Sequence, residues 1–255
     1  MTNREIFDVA LRQSAQDSGC LPEDFLKSEN VIVRSRENPN ARKYLSLPLP
    51  ADLTSYGYNV VASVIPELEE AVKSYISKYT FYHCFETPNM VAFQEALRPL
   101  GYGVCFMAEY FLPDMDLLKP VECEYELKIL TQNDFSDLYK PEWSNAICKY
   151  RKEYDVLGIG AYDGEKLVGL AACSADGDEM WQIGIDVLPE YRHKGIASSL
   201  VSNLACEIIK REKVPFYCCA WSNVASARTA IKAGFRPAWV QLTVKSLELI
   251  SELNK

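Results

Sequence analysis

Long apolar runs, paired cysteine motifs and an excess of positive charge are all absent from this sequence. No run of about 18 apolar residues is present to span a bilayer, and the polar start MTNREIF differs from a signal peptide. The nine cysteines include no C-x-x-C pair, and an odd number of cysteines cannot all pair within one chain. We therefore expect a cytoplasmic protein with reduced thiols and no membrane partner.

The balance of charge and the scarcity of histidine argue against two further classes of function. The formal net charge is −8, whereas nucleic acids are bound mainly by clustered Lys and Arg. His83 and His193 are the only two histidines, and they are far apart in the sequence. We expect neither a nucleic-acid partner nor a metal. The 255 residues, 48% of them hydrophobic, are enough for one large domain or two small ones.

Short strands and helices alternate in the second half of the chain. A helix is predicted that is capped by Asn133 or Asp134 and whose apolar side chains are Leu138, Trp143, Ile147 and Tyr150. Asp163-Gly164 is a strong hairpin signal between two of the strands. The predicted strands are 126–131, 156–162, 166–174, 179–187, 214–221 and 235–245, and the later helices follow Gly195 and span 223–234. The predicted order is β-α-β-β-β-α-β-α-β.

The stretch VLPEYRHKGIASSL, residues 187–200, combines positive charge with a glycine where a helix begins. The first amides of a helix lack intrahelical partners and lie at the positive end of the helix dipole, so they bind anions. Gly195 lets a ligand approach closely, and Arg192 and Lys194 add charge that suits a pyrophosphate such as that of coenzyme A. The alternative is a helix that begins beside solvated basic residues. A P-loop is not predicted, because G-x-x-x-x-G-K-[ST] is absent.

These features resemble the GNAT superfamily of acetyl-CoA-dependent N-acetyltransferases over roughly residues 126–245. The family's turn, Q/R-x-x-G-x-G/A, matches Arg192-His193-Lys194-Gly195-Ile196-Ala197, and its second feature, an Asn that opens the next helix and a Gly-Phe that closes it, matches Asn223 and Gly234-Phe235. The resemblance implies an α/β (α+β) fold with a mixed, mostly antiparallel central sheet and flanking helices. It also implies acetyl-CoA as cosubstrate.

The resemblance assigns the cofactor to a defined set of residues. Backbone groups of Ile185 and Val187 are expected to pair with the pantetheine arm. Gly184 within that strand marks a bulge or a close approach of another backbone, or is tolerated under Trp181. The predicted cofactor-binding residues are Ile185, Asp186, Val187, Arg192, His193, Lys194, Gly195, Ile196, Ala197, Ser198 and Asn223.

The implied reaction is direct attack of an amine on the thioester, which requires a proton acceptor. Glu179 is the first candidate, with Asp178 and Asp186 behind it; each is alternatively a solvated carboxylate, and a water chain is also open. Many members of the family have a tyrosine that acts as the general acid at the position where this sequence has Ala230. No tyrosine occurs within 223–234. The chain therefore uses a different acid, uses none because an alkyl thiol leaves readily, or has lost activity.

The first half is similar in pattern to the second. Residues 81–102 parallel residues 216–235, three strands are predicted in NVIVRS, RKYLSLP and SYGYNVVASV, and a helix is predicted over 66–79. The cationic glycine turn is missing there. We therefore predict a degenerate GNAT-like domain over 1–120 and an acetyltransferase domain over 121–255, with the boundary within 112–124.

Three functions follow from these predictions. The first is an acetyl-CoA-dependent N-acetyltransferase that acts on a small-molecule or protein/peptide amine, with a homodimer left open. The second is a non-catalytic acyl-CoA-binding sensor or regulatory module, which the missing tyrosine favours. The third is a scaffold that uses neither site. Cys218 and Cys219 offer an acyl-cysteine route, but adjacent cysteines in a strand are more often small core residues.

Overall fold

The computed structural model describes residues 1–255 and contains two compact units. Unit 1 comprises Met1–Val9 and Phe111–Pro237, and unit 2 comprises Ala10–Tyr110 and Ala238–Lys255. The ten strands are β1 (Val31–Arg34), β2 (Ala51–Ser55), β3 (Val61–Val64), β4 (Tyr102–Pro113), β5 (Glu126–Thr131), β6 (Asp155–Asp163), β7 (Lys166–Ser174), β8 (Met180–Val187), β9 (Val214–Ala220) and β10 (Phe235–Ser246). The six α-helices are α1 (Asn3–Ser18), α2 (Glu69–Lys78), α3 (Thr87–Leu97), α4 (Ile196–Lys210), α5 (Val224–Lys232) and α6 (Leu247–Leu253). None of these helices combines the length and apolar character that a membrane span requires.

Unit 1 carries its strands in the order β9-β8-β7-β6-β5. All neighbours in this set are antiparallel except β8 and β9, which are parallel. The predicted hairpin between β6 and β7 is confirmed, and Gly164 occupies its turn with a φ of 61°. The mixed, mostly antiparallel sheet with flanking helices agrees with the predicted fold class.

Helix α4 supplies the apolar layer over this sheet. One face of α4 carries the predicted side chains Ile196, Leu200, Leu204 and Ile208, all of them buried. These residues pack in one cluster with Ile159 of β6, Val168 of β7 and Ile183 of β8. Full burial of each such side chain contributes about 1.5–3 kcal/mol, so this face fixes α4, and the turn before it, against the sheet.

The predicted helix over residues 133–150 is wrong. The segment instead forms 3₁₀ turns, Gln132–Phe135 and Pro141–Trp143, separated by irregular backbone. Pro141 lacks the N–H that a helix would use, and carboxylates from other elements accept the N–H groups of Asn145, Ala146 and Cys148. The N–H groups that would form intrahelical hydrogen bonds in the predicted helix therefore form tertiary contacts instead.

Unit 2 carries its strands in the order β1-β3-β2-β10-β4, with β1 parallel to β3 and β2 antiparallel to both β3 and β10. Two predicted strands are absent. Residues 42–48 form no strand, because Arg42 is buried and both its backbone N and its Nε donate to Asp17. Residues 81–84, which are predicted to form a strand because they parallel the strand at 216–219, also form none; a 3₁₀ helix spans His83–Phe85, and Cys84 N donates to the carbonyl of Thr80. Local and side-chain partners take the hydrogen bonds that a strand would need.

The two compact units divide the chain differently from the predicted boundary at residues 120 and 121. Most of β10 lies in unit 2 because its residues 240–244 pair with β2. Residues 1–9, by contrast, belong to unit 1, where Asn3 Nδ2 donates to Asp114 Oδ1 at 3.0 Å. The proposal that the first half is a degenerate copy of the second stays a prediction.

Asp155 is a buried carboxyl group of unit 1 whose protonation affects the stability of the fold. Its side chain is only 1% exposed, and Oδ2 accepts from Cys148 N at 2.9 Å and from Tyr139 Oη at 3.2 Å. Burial raises the pKa of Asp155 to about 6 from an ordinary value of 3.8. The folded state therefore favours the protonated carboxyl, and stability is lost as pH rises from about 4 through 6.

We expect Asp155→Asn to remove that loss, since one amide oxygen can accept both hydrogen bonds without a buried charge. The free energy of unfolding of the variant, relative to the wild type, should rise by on the order of 1 kcal/mol between pH 4 and pH 7.5. Urea unfolding at the two pH values measures this difference. An equal offset at both pH values would contradict the assignment of a raised pKa to Asp155.

Candidate functional site

Strands β8 and β9 separate from one another part-way along their length. Their parallel pairing runs from Met180 with Val214 to Ile183 with Tyr217 and then stops. Both strands continue, β8 to Val187 and β9 to Ala220. The two strands therefore enclose a cleft that is closed at the Ile183–Tyr217 pair, which we call the vertex, and open beyond Val187.

The backbone groups of β8 that face this cleft can be identified from the β7 side. Leu188 N donates to Val168 O at 3.0 Å, so Leu188 directs its backbone groups towards β7. Alternate residues of a strand face opposite neighbours. Ile185 and Val187 consequently direct their N–H and C=O groups towards β9 and the cleft, and Val187 O accepts from Arg192 Nε at 3.1 Å. These are the two residues that the sequence analysis assigned to a pantetheine arm.

The turn before α4 lies at the open end of the cleft. His193 and Gly195 have φ values of 63° and 81°, both in the left-handed region, and α4 begins at Ile196. The first intrahelical bond is donated by Ser199 N to Gly195 O, so the N–H groups of residues 196–198 have no partner within the helix. A Cβ built on Gly195 would meet no atom within 4 Å. Open space therefore lies above a set of backbone donors, which is the arrangement that binds an anion.

The cleft and the turn form one cavity of about 870 Å³. Most of the predicted cofactor-binding residues line it, and Lys194 does not. The predicted residues in its wall are Ile185, Asp186, Val187, Arg192, His193, Gly195, Ile196, Ala197, Ser198 and Asn223. Asn223 also caps α5 as predicted, because its side chain accepts from Ser226 N at 3.2 Å.

Lys194 is directed towards an aromatic pair instead of the cavity. Its Nζ donates to Tyr125 Oη at 3.0 Å and lies 5.0 Å from the centroid of the Tyr191 ring. The hydrogen bond that Lys194 donates to Tyr125 raises the pKa of Lys194. The ammonium group of Lys194 therefore lies beside two aromatic rings on an exposed surface. It does not line the cavity.

Glu179, the first candidate for a general base, lies outside the cavity wall. It is exposed and immediately precedes β8, and its backbone oxygen accepts from Val214 N at 2.8 Å. Ile183 at the vertex is four positions further along the chain, which corresponds to about 13 Å of strand. Asp178 is likewise exposed and absent from the wall. Neither carboxylate is positioned to receive a proton directly at the vertex.

Asp186 lines the cavity, but its carboxylate is already occupied. Oδ2 accepts from Asn145 N at 2.8 Å and Ala146 N at 2.9 Å, and Oδ1 accepts from Asn145 Nδ2 at 2.6 Å. Three donors from one neighbouring segment thus occupy both carboxylate oxygens. Asp186 therefore ties the segment around Asn145 to β8 and is not positioned as a base.

Gly184 permits this same contact. A Cβ on Gly184 would lie 2.0 Å from Asn145 O, closer than any real Cβ contact. The pairing of β7 with β8 passes Gly184 with no register shift, so there is no bulge. Of the alternatives for Gly184, the close approach of another backbone is confirmed, and that backbone is the chain's own.

Several wall residues were missed by the sequence analysis. Arg228 and Lys232 of α5 line the cavity, four residues apart on one helix face, whereas Asp186 is the one carboxylate in the wall. The wall is cationic in a chain whose net charge is −8. The i, i+4 spacing after the Asn223 cap was the available signal.

The vertex carries a second group of missed side chains. Tyr217 Oη and Ser226 Oγ share a hydrogen bond of 2.7 Å, and burial raises the pKa of Tyr217 to about 12. Gln182 Nε2 donates to Cys218 Sγ at 3.2 Å. Ala230, which stands where many relatives have a tyrosine, is fully buried in the core.

The comparison with known families agrees with this geometry. A sequence model of the family described as GNAT acetyltransferase matches residues 64–238, well over half of the chain. The chain belongs to the GNAT acetyltransferase family. No curated protein matches this chain.

Solved structures of other proteins are similar to this GNAT acetyltransferase at low sequence identity. A GNAT-family protein from Novosphingobium aromaticivorans DSM 12444 is 17% identical with a TM-score of 0.43, and the match covers 56% of this chain and 66% of that one, just under two thirds of its length. A GNAT-family acetyltransferase from Colwellia psychrerythraea is 16% identical with a TM-score of 0.46, over 73% of this chain and 78% of that one. A tandem GNAT protein from the clavulanic acid biosynthesis pathway is 14% identical with a TM-score of 0.41, over 63% of this chain and 59% of that one. The family assignment rests on the match over residues 64–238.

We expect Gly184→Ala to destabilise the protein, because a methyl group cannot coexist with the Asn145 carbonyl 2.0 Å away. The loss should be about 2–4 kcal/mol in the free energy of unfolding. Gly160→Ala is the matched control, since its new Cβ approaches side-chain atoms of Leu167, Tyr162 and Leu130, which can shift, and no backbone atom. Equal losses in urea unfolding of the two variants would contradict the close backbone contact at Gly184.

Proposed function

We propose that this chain is an acetyl-CoA-dependent N-acetyltransferase that transfers an acetyl group directly to an amine. The observation that carries the proposal is the separation of β8 from β9 beyond Ile183 and Tyr217, which leads from a closed vertex to the glycine turn before α4. A single elongated ligand with an anionic end and a polar arm fits that arrangement. Coenzyme A has both features.

The turn fits the pyrophosphate. The free amides of residues 196–198 are the donors, the open space above Gly195 admits the phosphate oxygens, and Arg192 adds positive charge. Arg228 and Lys232 supply further positive charge to the same cavity. A phosphate-rich ligand would thus contact a positively charged wall, although the net charge of the chain is negative.

The free edge of β8 fits the arm. Ile185 and Val187 direct peptide groups into the cleft, and an amide-containing chain that enters there can pair with them as a further strand would. The Ile185 N–H is the strand donor nearest the vertex that faces the cleft. It is suited to stabilise negative charge on the oxygen of the acyl group during attack by the amine.

Water is the proton acceptor that this wall supports best. Asp186 is committed to Asn145 and Ala146, and Glu179 and Asp178 lie outside the wall. An amine that is deprotonated by solvent needs no buried base, and its rate should rise with pH as the free amine becomes abundant. The acceptor is a small-molecule amine or an amine of a protein or peptide, and acetylation of both classes can be screened by mass spectrometry.

A non-catalytic acyl-CoA sensor is the second candidate. The lack of an unoccupied carboxylate in the wall and the alanine at position 230 favour it. Turnover separates the two functions. Release of free CoA thiol in the presence of an amine panel supports the enzyme, whereas CoA binding with no thiol release from any amine supports the sensor.

The glycine turn provides the direct test of CoA binding. Gly195 has a φ of 81°, so any side chain there is strained, but Asn and Asp tolerate this conformation to similar degrees. We expect Gly195→Asp to weaken CoA binding at least tenfold more than Gly195→Asn, because only the former places negative charge beside the phosphates. Gly195→Glu should also abolish binding.

Isothermal titration calorimetry of the folded variants measures these affinities and the stoichiometry, for which we expect one CoA per chain. Circular dichroism confirms that both variants remain folded. Equal affinities for the Asp and Asn variants would remove the turn from the phosphate site. Absence of CoA binding to the wild type would overturn the proposed function.

A further inference from the structure

Tyr217 is the last residue of β9 that pairs with β8, and its side chain contributes to the cavity wall at the vertex. A ligand whose phosphates occupy the Gly195 turn and whose arm follows Val187 and Ile185 comes next to Ile183. The strands are hydrogen-bonded to one another from that point on. The distal end of the arm, which in CoA is the sulfur, therefore ends its path beside Tyr217.

The phenol of Tyr217 is held in one orientation. Its side chain is 2% exposed, and its ring lies 6.3 Å from that of Phe111 and 6.4 Å from that of Phe235, measured between centroids. Its hydroxyl shares a 2.7 Å hydrogen bond with Ser226 Oγ in the first turn of α5. Ser226 also lines the cavity. The vertex thus presents a fixed hydroxyl pair where the arm ends.

We propose that Tyr217, oriented by Ser226, donates a hydrogen bond to the sulfur of CoA and stabilises the thiolate that leaves during acyl transfer. This inference rests on the proposed function. When the carbon–sulfur bond breaks, its electron pair remains on sulfur, and an O–H donor aimed at the sulfur lowers the energy of that negative charge. Ser226 completes the pair when its own hydroxyl donates to the phenol oxygen.

Tyr217 is expected to donate the hydrogen bond and to keep its proton. Burial raises the pKa of its phenol to about 12, whereas an alkyl thiol ionises near pH 8.5, roughly three units lower. Proton transfer from this phenol to the thiolate is therefore uphill. The thiolate takes its proton later from solvent, and the phenol persists through the ordinary working pH range.

The first experiment measures the thiol pKa of bound CoA, which requires no turnover. Thiolate absorbance near 240 nm is recorded from about pH 6 to pH 10 for the complex with CoA, and the matching complex with desulfo-CoA is subtracted. We expect the thiol pKa to be about one to two units higher in Tyr217→Phe than in the wild type, a 10- to 100-fold loss in thiolate stabilisation. Ser226→Ala should raise it by less.

Tyr139→Phe is the matched control. It also removes a phenol hydroxyl that has a hydrogen-bond partner in unit 1, but Tyr139 is only half-buried, its partner is Asp155, and the residue is not in the cavity wall. The thiol pKa in this variant should equal that of the wild type. Turnover provides the second readout: kcat should fall about 10- to 100-fold in Tyr217→Phe, and the wild-type rate should show no descending limb up to pH 10.

Each outcome decides a specific point. CoA that binds Tyr217→Phe with an unchanged thiol pKa overturns the role of Tyr217 and leaves the proposed function intact. A descending limb near pH 9 to 10 that Tyr217→Phe removes would show that the phenol ionises in this range and would overturn the inference that Tyr217 keeps its proton. If Tyr217→Phe fails to fold, an unchanged thiol pKa in folded Ser226→Ala overturns the hydroxyl pair. Failure of wild-type CoA binding is a failure of the proposed function.

Discussion

The structure of the site depends on one constraint: two parallel strands must stop pairing while both are still extended. Beyond Ile183, β8 has a hydrogen-bonded neighbour on the β7 side alone, and unpaired strand edges are unstable unless something else occupies them. Three contacts hold β8 in place there. Asp186 binds the backbone at Asn145, Gly184 lets the Asn145 carbonyl approach, and Arg192 Nε takes the carbonyl of Val187. The free edge is thus maintained by packing on one face and by a side-chain donor at its end.

Carboxylates in unit 1 are used to hold backbone segments rather than to do proton chemistry. Asp186 accepts from Asn145 N, Asp155 from Cys148 N and Asp134 from Thr131 N. Asp186 and Asp155 replace hydrogen bonds that a regular helix over 133–150 would have supplied, and Asp134 caps the 3₁₀ turn that follows β5. Residues 132–155 can therefore run as an irregular segment. The wall of the cavity is left cationic as a result, although the chain as a whole is strongly acidic. These three carboxylates hold backbone segments, whereas the basic side chains of Arg192, Arg228 and Lys232 line the cavity that is proposed to bind CoA.

Features fixed by local backbone chemistry could be predicted from the sequence. The Asp163-Gly164 hairpin, the helix that follows Gly195 and the Asn223 cap each depend on a few adjacent residues, and the structure contains all three. Features fixed by distant partners could not. The segment at 133–150 has a helical apolar pattern, yet Asp186 and Asp155 accept hydrogen bonds from its amides. The role of Glu179 as a base stays a prediction, and the sequence did not show that Glu179 lies outside the cavity wall, because strand position does not reveal which end reaches the vertex. Tyr217 was missed because its partner, Ser226, lies on the next helix.

The N-termini of the helices differ in how they are capped. Helices α5 and α6 are capped by the side chains of Asn223 and Ser246, and α2 has Glu69 and Glu70 in its first turn, where acidic groups stabilise a helix through its dipole. Helices α3 and α4 both lack a side-chain cap and an acidic residue in the first turn, but α3 has Glu86 as its N-cap, whereas α4 has Gly195 in a left-handed conformation. A missing cap costs about 1 kcal/mol, and the apolar face of α4 offsets that loss by packing on the sheet. The positive end of α4 consequently has no side-chain cap and no acidic group in its first turn, and this is the arrangement that the proposed binding of a pyrophosphate requires.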